Sequence, residues 1–314
     1  MLRVIYDSRW FIAYLVELII KQKCRKNMFD IITPTISSSS LNDFTTHSDE
    51  SGLAMKTWKT STLKRLLSDA MSRDQFELVY QPQIEITTHK VIGVEALLRW
   101  HSPELGLVAP EHFIPVAEES GMIFELGSMV IEKACAQASF WKNHYQHEIR
   151  MAINVSCLQI KSNKILDIVD SCLRKYNLSP SKLEIELTES TSVRDMIKVI
   201  YILNQFKDMG VRTTIDDFGT GYSSLSYLAH MPFDMIKIDR SFIDLLGLHT
   251  ANTVVTESII HMSKKLNMEI MAEGVETESQ RTILLNNGCD YMQGYLFSRP
   301  VSADKLPEIA GMKI

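Results

Sequence analysis

Short apolar runs that each deliver an oxygen-bearing or charged side chain follow one another along this chain. Glu95 closes VIGVE, Asn154 sits in MAINVS and Glu186 lies in LEIELTE. Asp216 and Asp217 close VRTTIDD, Lys237 and Asp239 sit in MIKID, and Glu273 follows EIMA. One carboxylate after a strand is usually a solvated loop charge or a helix N-cap. A series from successive strands is different, because a barrel of parallel strands gathers its strand ends at one mouth. The pattern constrains fold and chemistry together.

Eight strands are expected, over 76–86, 91–100, 150–156, 183–188, 211–217, 235–239, 268–273 and 291–297. Thr87 to Lys90 is too short for a parallel crossover of about a dozen residues, so the first two strands pair antiparallel. Leu63, Leu66, Leu67, Ala70 and Met71 have the spacing of an amphipathic opening helix. Later links hold helical spacing over Ile123–Trp141, Ile165–Tyr176, Asp195–Met209, Thr253–Leu266 and Glu278–Asn286, with Gly210 and Gly288 placed as helix stops. DFGTGYSSLSYLAHMPF, residues 217–233, reads instead as a Gly- and Ser-bearing loop leading into a brief helix. This alternation specifies an α/β fold, a TIM-like (β/α)8 barrel with an antiparallel first strand. A doubly wound open sheet would carry a Gly-rich turn after its first strand, and none stands there.

The chain has 314 residues, and a barrel of this kind takes about 250. We divide it into an N-terminal segment, 1–55, and a barrel domain, 56–310. Trp10 to Ile20 is apolar except for Glu17 and is followed by Lys21, Lys23, Arg25 and Lys26. That is short of the roughly 18 apolar residues a spanning helix needs, and no small-residue cleavage site follows. Residues 1–30 read either as a helix on an anionic inner membrane surface or against a partner protein, or as a helix packed on the main domain. The Ser/Thr-rich stretch 33–51 reads as a mobile linker.

A net charge of -5 gives no basic face for non-specific nucleic-acid contact, so no DNA binding is expected. The five cysteines are scattered without CxxC or Cys/His zinc spacing, as in reduced thiols of a cytoplasmic protein. His144 and His147, in WKNHYQHE, read as a solvated helix end, since HExxH context is absent.

Oxygen donors suit hard cations such as Mg²⁺ or Mn²⁺, and a pair about 4 Å apart needs a bridging carboxylate. Glu95, Asn154, Glu186 and Asp216 make one donor set; Asp216, Asp217 and Glu273 make a second that shares Asp216. Adjacent strand residues face opposite ways, so Asp216 and Asp217 can converge only where their strand ends, which Phe218-Gly219 would permit. Two such ions suit in-line displacement at phosphorus. Lys237 could orient the attacking water or stabilise developing charge, or be a structural ion pair with Asp239 or a ligand acid. Arg99 could clamp a phosphate with its planar fork, or form a rim salt bridge.

EALLRW (95–100), NVS (154–156), ELTES (186–190), DDFGTGYSSL (216–225), KID (237–239), AEGVE (272–276) and QGYLFSRP (293–300) resemble the EAL-domain cyclic di-GMP phosphodiesterases. The likeness runs from about Leu63 to about Leu306 in family order and leaves out residues 1–55. It implies a TIM-like barrel with a reversed first strand, and hydrolysis of cyclic di-GMP to linear pGpG with two Mg²⁺ or Mn²⁺ ions. By resemblance, Glu95, Asn154, Glu186 and Asp216 are ligands of the first ion; Asp216, Asp217 and Glu273 are ligands of the second. Lys237 matches the lysine on the catalytic water, Arg99 the arginine on a substrate phosphate, and Glu189 the glutamate bracing the DFGTGYSS loop. Leu98, Asp239, Glu276 and Gln293 match further positions assigned here to the substrate side. Family members that lost part of this set serve as receptors or interaction modules, whereas every position is kept here. The resemblance also implies a homodimer formed through the helical segment after the DFG loop.

Overall fold

The computed structural model describes residues 46–48, 54–56, 60–188, 196–219, 228 and 230–312. The chain divides into two compact units, Met1–Trp58 and Lys59–Ile314. In the first, Thr46–Ser48 pairs antiparallel with Ala54–Lys56, so three residues of the expected linker are strand instead. The apolar run from Trp10 to Ile20 lies outside the described residues. Among the described residues no helix is long and apolar enough to cross a membrane.

In the second unit eight strands close a barrel: β1 (Phe76–Glu85), β2 (Val91–Ser102), β3 (Arg150–Asn154), β4 (Leu183–Thr188), β5 (Arg212–Phe218), β6 (Met235–Ile238), β7 (Glu269–Glu273) and β8 (Tyr291–Gln293). Each pairs with the next, and β8 pairs with β1 to complete the ring. β1 runs antiparallel to both its neighbours, while every pair from β2 to β8 is parallel. Around the ring stand α1 (Thr60–Ser72), α2 (Pro110–Ser120), α3 (Ile123–Tyr145), α4 (Lys164–Lys175), α5 (Met196–Met209), α6 (Thr250–Lys265) and α7 (Glu278–Asn286).

The eight expected strands and the expected helices that fall within the described residues are present with shifted ends, and two of the shifts have a clear local cause. β3 stops at Asn154 because Ser156 and Gln159 form a reciprocal capping box that starts a short helix, Cys157–Ile160. β8 stops at Gln293 because Gly294 packs onto the backbone of Val275, where an added Cβ would sit 2.1 Å from the carbonyl oxygen. Two further elements between β2 and α3 were not expected. Gly106–Val108 folds back antiparallel on the end of β2. α2 begins with Pro110 and ends at Gly121, whose φ of 77° supplies the left-handed stop.

Strand alternation sorts the side chains. Outward residues meet the helices: Trp100 and Phe113 pack edge-on at 5.5 Å, and Tyr80 and Trp141 do so at 4.8 Å. Inward residues are strongly polar and form two tiers. The lower tier is an ion network at the N-terminal ends of the parallel strands. Arg150 Nε and Arg212 Nε lie 3.1 and 3.4 Å from Glu184 Oε2, and Arg212 also pairs with Glu269. Thr214 Oγ1 donates to the other oxygen of Glu184 at 2.9 Å. The upper tier is the mouth.

Candidate active site

At the mouth, one ammonium stands among four carboxylates. Lys237 Nζ lies 2.7 Å from Glu273, 2.9 Å from Glu186, 3.2 Å from Asp216 and 3.5 Å from Glu95. Those residues come from β6, β7, β4, β5 and β2, so the convergence is a product of barrel closure and not of local sequence. Glu186 and Lys237 have no solvent exposure. Neutral amides complete the cluster. Asn154 Nδ2 donates to Glu95 Oε1 at 2.5 Å, and Gln293 Nε2 donates to Glu95 Oε2 at 2.6 Å and to Gln81 Oε1 at 3.0 Å.

Asp216 and Asp217 both reach this pocket, although by a different device from the strand end expected. β5 continues through Phe218, but its register against β6 slips: Ile215 pairs with Ile236 and Phe218 with Ile238. Two aspartates therefore oppose Lys237 alone, which is a β-bulge. Asp217 takes the extra position with φ of 53°, a left-handed conformation that Asp tolerates better than most residues. Oxygens of Asp216, Asp217 and Glu273 lie within 4.8 Å of one another.

Burial and mutual repulsion set the protonation of these groups. Burial pushes Glu186 well above the usual carboxylate range, with Glu95 and Asp216 adding to the rise and Lys237 opposing it. Burial likewise raises Asp216 and lifts Glu273 to about 8. Burial and the neighbouring Asp216 carry Asp217 to about 6. Glu95 behaves differently: burial raises it, but Lys237, Gln293 and Asn154 together bring it below its ordinary value. Burial alone would depress Lys237, yet the four carboxylates hold it well above the ordinary lysine value. One ammonium cannot balance four ionised carboxylates in a buried site. The cluster therefore needs protons or further cations, and a set of oxygens without thiolate or imidazole fits a hard divalent ion.

The other residues named from sequence fall around this centre. Arg99 shares the inward face of β2 with Glu95, roughly 13 Å further toward the mouth, and its Nη1 donates to the Leu98 carbonyl at 2.9 Å. Among the described residues no ion pair ties Arg99 to the acidic cluster. Leu98 is only 9% exposed and faces away from Glu95, so its side chain belongs to the outer core. Asp239 caps the short helix Arg240–Ile243 by accepting from Ser241 N at 3.1 Å, and its charge adds to the rise of Asp217. Glu276 accepts from Arg240 Nη2 at 3.0 Å. Glu189, and the helical segment after the DFG loop apart from Leu228, lie outside the described residues.

Gln81 and Gln83 of β1 were missed by reasoning that searched for charge. Gln83 has no exposure and its Nε2 donates to Glu186 Oε1 at 3.4 Å. Their signal was available: two amides at alternate positions of an apolar strand share its inward face. The same alternation in LEIELTE marks Glu184 beside Glu186.

Comparison with known proteins agrees with this geometry. The EAL domain family profile matches residues 64–300. MucR of Pseudomonas aeruginosa, a bifunctional diguanylate cyclase/cyclic di-GMP phosphodiesterase, is 42% identical over 240 residues, which is 76% of this chain and 35% of that protein. NbdA of the same organism, a cyclic di-GMP phosphodiesterase, is 38% identical over 242 residues, 77% of this chain and 31% of its own length. The chain thus spans about a third of these relatives. The solved structure of the PaMucR phosphodiesterase in its c-di-GMP complex aligns with a TM-score of 0.74 at 42% identity, covering 78% of this chain and 99% of that one. With the profile spanning most of its barrel unit and a matching fold, the chain belongs to the EAL domain family.

Proposed function

We propose that this protein is a metal-dependent phosphodiesterase that hydrolyses cyclic di-GMP to linear 5'-pGpG and so lowers a second messenger. The observation that carries the reading is the meeting of Glu95, Glu186, Asp216 and Glu273 within 3.5 Å of Lys237 Nζ, each from a different strand. No position of the donor set is replaced by an apolar residue.

Glu95, Asn154, Glu186 and Asp216 would hold one Mg²⁺ or Mn²⁺ ion, and Asp216, Asp217 and Glu273 a second. Asn154 now turns Nδ2 to Glu95; half a turn of its amide presents Oδ1 instead. When bound, such an ion pair acidifies a water and neutralises charge gathering at phosphorus. Lys237 stays charged at neutral pH and offers N–H donors to that water or to the phosphoryl oxygens. Gln293 and Asn154 hold the Glu95 carboxylate from both sides, limiting its rotation. Arg99 binds a substrate phosphate, with Asp239, Glu276 and Gln293 also on the substrate side, whereas Leu98 supports Arg99 through its backbone carbonyl. Glu189 braces the following loop. A homodimer, and a membrane or protein contact made by residues 1–30 of a cytoplasmic protein, belong to the same reading.

The test is incubation of purified protein with cyclic di-GMP and Mn²⁺, followed by chromatographic resolution of the product. Formation of pGpG that disappears in Glu95→Ala is expected. Binding without turnover, unchanged in that variant, would instead identify a catalytically silent receptor of the same fold.

A further inference from the structure

Four buried side-chain atoms among the described residues lack a hydrogen-bond partner, and three of them, Gln83 Oε1, Arg150 Nε and Arg150 Nη2, belong to side chains flanking one glycine. In cross-strand register Gln83 stands opposite Gly93, and Gly93 stands opposite Arg150. The three form a row across β1, β2 and β3 on the inward face, and the middle position has no side chain. A Cβ at Gly93 would lie 2.7 Å from Gln83 Oε1 and 3.2 Å from Arg150 Nε. Arg150 Nε is 3.1 Å from Glu184 Oε2 as an ion pair, but off the line of its N–H, which leaves that hydrogen unused.

The chemistry of these unpartnered groups is asymmetric. A guanidinium only donates and an amide oxygen only accepts. Water does both, and buried waters typically make about three hydrogen bonds to groups otherwise left without one. Gln83 Nε2 meanwhile donates to Glu186 Oε1 at 3.4 Å, while Glu186 Oε2 accepts from Lys237 at 2.9 Å. A flipped Gln83 would set its oxygen against the Glu186 carboxylate and its NH₂ toward the guanidinium. Both contacts repel. The amide therefore has one acceptable orientation, joining the lower ion network to the upper acidic cluster.

We propose that a buried water beside Gly93 bridges Arg150 to Gln83 Oε1, and that Gln83 so held is a positioning residue for the Glu186 carboxylate. The inference rests on Glu186 being a metal ligand, as in the function proposed above. Gln83 fixes which oxygen of Glu186 faces Lys237 and the neighbouring donors. Gly93 is needed because a Cβ there would lie 2.7 Å from Gln83 Oε1 and push the amide out of place, which explains a glycine inside a strand that otherwise packs tightly.

The test uses the full chain and two variants, Gln83→Met, which keeps volume without polar atoms, and Gly93→Ala, whose methyl displaces the Gln83 amide from the bridge. Mn²⁺ affinity is read from the EPR signal of free ion, folding from thermal melting, and KM for cyclic di-GMP at saturating Mn²⁺. Loss of a group that orients a ligand typically weakens metal binding by about 10–100-fold, and both variants should show this with KM unchanged. A high-resolution crystal structure should place a water within hydrogen-bonding distance of Gln83 Oε1 and Arg150 Nε. A folded Gln83→Met protein that binds Mn²⁺ like wild type, or a dry gap in that map, overturns the proposal. A packing role alone would lower the melting temperature and leave Mn²⁺ affinity in place. If Gly93→Ala does not fold, Gln83→Met decides the question. Wild-type protein that makes no pGpG would defeat the enzymatic reading, whereas the Mn²⁺ titration would still decide this one.

Discussion

Replacing Lys237 with methionine removes the ammonium shared by three buried carboxylates and the half-buried Glu273, while keeping chain length and an apolar stem. The lysine has no exposure and its Nζ lies between 2.7 and 3.5 Å from the four acids. Breaking a buried ion pair by removing one partner costs about 3–5 kcal/mol, because the remaining charge stays buried. A domain of this size loses roughly 2–4 °C of melting temperature per kcal/mol. Metal-free Lys237→Met should therefore melt roughly 6–20 °C below wild type at pH 8. The gap depends on pH with a definite sign. Glu273 titrates near 8 in the fold against an ordinary 4.5. A raised carboxyl stabilises the fold below its unfolded value and loses that contribution as pH climbs through its folded value. Near pH 5, protons neutralise what the lysine no longer can, and the gap should narrow. Mn²⁺ should have the same effect at pH 8, raising the variant's melting temperature more than the wild type's. Differential scanning fluorimetry from pH 5 to 9, in EDTA and in Mn²⁺, reads all three trends. Equal melting of variant and wild type in EDTA at pH 8, or a gap as wide at pH 5 as at pH 9, would refute the reasoning.

The bulge at Asp217 predicts different outcomes for two substitutions at φ of 53°. Asp217→Asn should keep its stability in urea, whereas Asp217→Val should lose about 1–2 kcal/mol to backbone strain; equal losses would remove the bulge argument. In Gly294→Ala the new methyl meets the Val275 carbonyl oxygen at 2.1 Å, a backbone atom that cannot turn aside. Overpacking of about 1–3 kcal/mol should lower its urea midpoint. Trp141→Ala, at a fully buried position against Tyr80, should cost about 3–5 kcal/mol by chemical denaturation. A smaller loss would mean that the outer layer collapses into the space.

The barrel and its mouth were legible in the sequence because both are written in period-two alternation and in what each strand carries at its end. The antiparallel β1–β2 hairpin followed from loop length alone. α2 was not read, because Pro115 inside HFIPVAEES looks like a breaker; Pro110 and Gly121 carry the better signal at its two ends. The bulge was invisible because register slip between β5 and β6 is a property of two strands together. The lower ion network was missed for a different reason. Arg150, Arg212 and Glu269, at the starts of their strands, look like ordinary surface charges until the ring closes and turns them toward Glu184.

The reversed direction of β1 determines where the polypeptide enters its own barrel. In an all-parallel barrel the first strand starts at the floor, remote from the chemistry. Here Phe76 pairs with Trp100 near the far end of β2, and Gln81 pairs with Glu95 five residues further along β1. About 17 Å of extended backbone separates the start of this strand from the first acid of the pocket. Past the short turn Arg73–Gln75, tension or rotation imposed at α1 would run along a single strand to Gln81, which accepts from Gln293, and to Gln83, which donates to Glu186, and these amides would be the first groups displaced.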